Sequence, residues 1–104
     1  MTVTNATTSD MTQVLALLRA QKDVLRARGV ASMAIFGSRA RDDNRPDSDL
    51  DLLIESSRPF SLVDLVRVEG LLSSAVKLDV QITTKPSVPR TSRPLIEAES
   101  IMVF

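Results

Sequence analysis

The sequence has 104 residues and no net charge, its 13 basic residues balanced by 13 acidic ones; this length suits one domain with a modest core. Cysteine and histidine are both absent, which excludes a disulfide framework, a thiolate metal site, a cysteine nucleophile and the commonest general base. Acid–base or metal chemistry must then rest on carboxylates, and the balanced charge gives no ground for a protein that coats nucleic acid.

Among the cations, ten are Arg and three are Lys, a bias toward the planar fork that grips phosphate and carboxylate. There is no apolar run long enough to span a bilayer and no charged segment leading into an apolar one at the N-terminus, so the expected location is the cytoplasm, away from membranes.

In chain order, residues 1–9 are rich in Thr, Asn and Ser and are expected to be flexible. Ser9 or Asp10 is placed to cap a helix reaching about Arg28, with Val14, Leu17, Leu18 and Leu25, together with Ala16 and Ala20, as its apolar stripe. Gly29 then fits the position just past the last turn. Val30 to Phe36 reads as a buried strand that Gly37-Ser38 breaks, and residues 38–48 are polar, with Pro46 marking a turn. Asp49 to Glu55 alternates, with Asp49, Asp51, Leu53 and Glu55 on one face and Leu50, Leu52 and Ile54 on the other.

Ser61 caps a second predicted helix through about Val76, its buried stripe being Leu62, Leu65, Val66, Leu72 and Val76. Lys77 to Thr83 alternates again, with Asp79 on the polar face. Lys85 to Pro94 holds three prolines and is expected to loop. A short helix over residues 95–100 and an apolar end, Ile101 to Phe104, complete the chain; Met33 and Met102 read as core filler. The pattern is α/β (α+β) with a small sheet, a single unit over residues 1–104.

Asp49-Leu50-Asp51 carries the chemistry. On a strand, spacing of two residues puts both side chains on one face with roots about 6–7 Å apart. Two such carboxylates suit hard Mg²⁺, which keeps water and substrate phosphates as its remaining ligands. If the strand of Asp79 lies alongside, three carboxylates cluster, and three can hold two metal ions about 3.5–4 Å apart for phosphoryl displacement. Gly37 lets the backbone approach a ligand closely, and the amides after it, with the Ser38 hydroxyl, can cradle phosphate oxygens. Arg41, or with less force Arg39, adds positive charge.

Together, Gly37-Ser38, Arg41, Ser48-Asp49-Leu50-Asp51-Leu52 and Asp79 resemble the nucleotidyltransferases of the DNA polymerase β-like fold, most nearly their minimal (MNT) branch. The resemblance implies a small mixed sheet flanked by helices. It implies that Ser38 holds the triphosphate of ATP or another NTP, that Gly37 permits the loop, and that Asp49 and Asp51 bind two Mg²⁺ ions. Asp79 would bind the catalytic ion and help deprotonate an acceptor hydroxyl, which attacks the α-phosphate as pyrophosphate leaves. The sequence departs from the family loop in one place: Asp42-Asp43 follows Arg41 where Gly is common.

Minimal domains of this branch resemble antitoxins that neutralise a HEPN-type toxin by transferring AMP to it, commonly onto Tyr. The resemblance thus implies a HEPN-type protein partner in an assembly with this chain. The 104 residues contain no Tyr, so a tyrosyl acceptor lies in another chain. Two other readings are compatible with the residues: an antitoxin that masks its toxin without catalysis, and nucleotidyl transfer to RNA or to a small-molecule hydroxyl.

Overall fold

The computed structural model describes residues 11–104; the segment expected to be flexible, 1–9, and the Ser9 or Asp10 cap lie outside the described residues. The chain runs α1 (Met11–Arg19), α2 (Lys22–Ala27), β1 (Val30–Phe36), α3 (Ser38–Arg41), β2 (Leu50–Ser56), α4 (Leu62–Val76), β3 (Val80–Thr84), a 3₁₀ turn (Lys85–Ser87), α5 (Arg93–Glu99) and β4 (Ile101–Met102). The sheet order is β3-β2-β1-β4. β1 pairs antiparallel with β2 and β4, whereas β2 and β3 run parallel. Parallel neighbours need a crossover, and α4 supplies it. The expected small mixed sheet flanked by helices is therefore present.

Alternation on the strands divides the sheet into two faces. Leu50, Leu52 and Ile54 join Met33, Ile35 and Ile82 in the core. Val14 and Leu18 of α1, Leu25 of α2, and Val68, Leu72 and Val76 of α4 pack on them. Phe36, opposite Asp51, and Ala34, opposite Leu53, share the other face. Its aspartate end carries the carboxylates, while Leu53 and Ala34 are buried further along.

Several expectations needed correction. The first helix is two helices: at Gln21 the N–H bonds back to Leu18 O at 3.0 Å, an i→i−3 contact that ends α1 before α2 begins. Ala16 and Ala20 face outward. α4 is capped as expected: Ser61 Oγ accepts from Asp64 N–H at 3.1 Å and Asp64 Oδ2 accepts from Ser61 N–H at 3.0 Å. Its buried stripe, however, runs through Val68, Leu72 and Val76, leaving Leu62 75% and Val66 58% exposed. Met33 is core, but Met102, on the outer strand, is 62% exposed. The expected loop 85–94 contains the 3₁₀ turn and the start of α5.

β3 begins later than the alternation implied, because Lys77 takes a left-handed conformation (φ 59°) to end α4. As a sheet margin, β3 presents outward N–H groups. α4 covers two of them: Ser73 Oγ accepts from Val80 N–H at 3.2 Å, and Glu69 Oε2 accepts from Ile82 N–H at 3.1 Å. Removing the second acceptor leaves a half-buried donor unsatisfied. Glu69→Ala is expected to lose about 1–3 kcal/mol in urea unfolding, and Glu69→Gln, which keeps an acceptor oxygen, to recover most of it.

Candidate active site

The site is built where β1 ends against the start of β2. Gly37 adopts φ 78°, ψ −156°, a region that L side chains rarely enter. A Cβ on Gly37 would lie 2.5 Å from Asp51 Oδ2. The absent side chain is thus what lets the turn close directly over the Asp51 carboxylate. The ladder enforces this meeting, since Phe36 and Asp51 are direct partners across β1 and β2. Ser38 follows at the start of α3, half-buried, and its carbonyl accepts from Asp43 N–H at 3.0 Å.

Asp51 is half-buried and Asp49 exposed. Burial first, and the neighbouring Asp49 charge second, push the Asp51 carboxyl above its ordinary range; Arg41 opposes both. Two neighbouring carboxylates of this kind are oxygen donors of the type a hard divalent ion takes.

Asp79 lies immediately before β3. Its carbonyl accepts from Leu50 N–H at 2.8 Å. The parallel register, Leu50 with Val80 and Asp51 with Gln81, brings residue 79 level with residue 49. The strands therefore lie side by side as expected. The side chains do not complete a cluster: among the described residues no three acidic groups stand close enough to hold one ion. Asp79 is exposed and lines a cleft of about 450 Å³ with Pro46, Ser48, Ser73 and Lys77. Lying just ahead of β3, it is tied to β2 by that one carbonyl, whereas Asp51 is paired on both sides, with Phe36 and with Gln81.

The arginines divide their roles in a way the sequence did not disclose. Arg41 is exposed and paired, its Nε with Asp43 at 3.1 Å and its Nη1 with Glu99 of α5 at 3.2 Å. Glu99 is a site neighbour that the sequence reading missed; it lies 58 residues away with no motif to mark it. Arg39, the weaker candidate for phosphate binding, is only 3% exposed and donates to the carbonyls of Pro46 and Ser48. The unusual Asp42-Asp43 pair also has an explanation. Asp42 takes the left-handed conformation (φ 62°, ψ 30°) that Gly would otherwise supply, and Asp43 engages Arg41.

Two outcomes follow. Gly37→Ala combines a strained φ with an overlap on Asp51, and should destabilise by about 1–3 kcal/mol in chemical denaturation. For Asp51, the folded chain holds the proton more tightly than the unfolded chain. Its contribution is therefore most favourable below the unfolded pKa and is lost as pH rises through the higher folded value. Asp51→Asn should raise the melting midpoint at pH 7 in chelator, with the gain disappearing near pH 3.

A family model described as a nucleotidyltransferase domain matches residues 18–102. A Methanocaldococcus jannaschii homologue named as a protein adenylyltransferase is 37% identical over 79 residues, covering 75% of this chain and 81% of its own. A solved minimal nucleotidyltransferase superposes with a TM-score of 0.67 at 30% identity, over 84% of this chain and 93% of that one. The fold also matches, with a TM-score of 0.59 at 15% identity over 84% of this chain and 70% of the other, a complex described as the tri-AMPylated Shewanella oneidensis HEPN toxin with its MNT antitoxin. The family model covers most of the chain and the fold agrees with it, so the chain belongs to the nucleotidyltransferase domain family, as a minimal nucleotidyltransferase.

Proposed function

We propose that this nucleotidyltransferase moves AMP from ATP to a hydroxyl on a HEPN-type toxin and so acts as its antitoxin. The observation that carries the reading is the closure of the Gly37 turn over Asp51, which sets a glycine-serine turn directly against that carboxylate. The relatives support the substrate: one is named as a protein adenylyltransferase and another is described as the antitoxin beside an AMPylated toxin.

In this reading Asp49 and Asp51 would hold Mg²⁺, and Asp79 stands outside that pair, at the adjoining cleft. When bound, the metal neutralises charge developing on the phosphate oxygens and orients the leaving pyrophosphate. Ser38 and the backbone following Gly37 grip the triphosphate. Arg41 exchanges Glu99 for a phosphate oxygen, a stronger partner for its fork. Asp79, exposed at the cleft, accepts the proton of the incoming hydroxyl. That hydroxyl attacks the α-phosphorus, the bond to the bridging oxygen breaks, and pyrophosphate departs.

A tyrosyl acceptor would come from a second chain, since these 104 residues hold no Tyr. A protein acceptor also suits the balanced surface charge better than a nucleic acid does. Among the described residues no helix is long and apolar enough to cross a membrane; a reaction that consumes ATP would suit the cytoplasm.

The test is transfer of label from α-labelled ATP to a co-purified HEPN partner. Label should reach the partner with the wild-type chain and fall at least about 100-fold with Asp49→Asn or Asp51→Asn. Undiminished labelling with either variant sinks the proposal. Unlabelled partner that is nevertheless inhibited by the chain would favour masking.

A further inference from the structure

Arg39 is the one polar or charged side chain buried among the described residues, at 3% exposed. It makes no ion pair that would explain the burial of its charge. Its Nε donates to Ser48 O at 3.1 Å, and its Nη2 donates to the same oxygen at 2.7 Å and to Pro46 O at 3.2 Å. The remaining nitrogen, Nη1, is buried with no partner. Burying a guanidinium against carbonyls alone is costly, and surface loops do not ordinarily need it.

The location of the contacts supplies a reason. Arg39 follows Ser38, and Ser48 precedes Asp49. The loop end is itself locked, because Ser48 N–H donates to Arg45 O at 3.0 Å and Ser48 Oγ accepts from Arg45 N–H at 2.9 Å. One rigid guanidinium therefore ties the residue after the glycine-serine turn to the residue before the first aspartate. Asp49 is exposed and lies just ahead of β2, which starts at Leu50. The aspartate of β2 is held by the ladder; the one before it depends on the loop.

We infer that Arg39 is a positioning residue: its fork sets Asp49 relative to the glycine-serine turn, and so fixes where the metal–nucleotide complex binds. The inference rests on the proposed reaction, in which Asp49 holds the metal, and does not require Arg39 to touch the nucleotide. It assigns to Arg39 a role separate from the phosphate contact considered from the sequence. Lys cannot replace it, because a single ammonium does not reproduce two nitrogens directed at neighbouring carbonyls.

The experiment measures Mn²⁺ binding to the full chain by the electron paramagnetic resonance of the free ion, in the presence of a non-hydrolysable ATP analogue. Arg39→Met, similar in length but without donors, should raise the half-saturating Mn²⁺ concentration about 10–100-fold, the usual consequence of losing an outer contact to a metal ligand. Arg39→Lys should recover only part of this. Both are read on protein shown by circular dichroism to be folded, since a purely structural residue would lower the melting midpoint and leave Mn²⁺ affinity unchanged. If Arg39→Met does not fold, Arg39→Lys decides alone, and wild-type affinity there overturns the inference. Wild-type affinity in both variants, with the wild-type chain binding Mn²⁺ normally, removes the role of Arg39 and leaves the proposed reaction standing. Absence of Mn²⁺–nucleotide binding by the wild-type chain removes the reaction itself, and the inference with it.

Discussion

The arrangement depends on one close approach, the backbone of Gly37 against the carboxylate of Asp51. An added Cβ would stand 2.5 Å from Asp51 Oδ2, so a turn made from any other residue would have to retreat or push the acid aside. Everything else at this end of the sheet follows from keeping those two together. The β1–β2 ladder sets Phe36 opposite Asp51. The hydrophobic face beneath, with Ile35 opposite Leu52 and both fully buried, prevents that register from slipping, because a one-residue shift would turn Asp51 into the core.

The same contact imposes a tension on the fold. Asp51 is desolvated and repelled by Asp49, which makes its charged form unfavourable. The hydrophobic layer beneath tolerates this because its own packing does not involve the acids. Stability is thereby given up at the point where, in the proposed reaction, a cation and a phosphate chain would restore it, a common pattern for sites that bind charged ligands.

Much of this could be read from the residues. Leu50, Leu52 and Ile54 against Asp49, Asp51 and Glu55 fixed both a strand and its orientation. Gly29 and Ser61 marked helix ends because their chemistry is local. What escaped was non-local or concealed by ordinary residue types. Ala20 and Gln21 are good helix formers, so nothing in them announced the break between α1 and α2. Leu62 and Val66 fit a helical stripe as well as Val68 does, and only the position of the sheet decides which side is inward. Asp79 read as mid-strand because alternation continues across Lys77 and Leu78, although Lys77 turns left-handed there. Arg39 looked like solvent-facing charge in a polar loop; its burial comes from carbonyls seven and nine residues away.

The covering of β3 by Ser73 and Glu69 also limits how this protein can be recognised. An incoming extended peptide laid along that margin finds the amides of Val80 and Ile82 already engaged. Backbone-templated growth of the sheet is discouraged on that flank, for a foreign segment and for another copy alike. Binding there must work through side chains, so changes in partner preference would be written in surface substitutions, with the strand framework left intact.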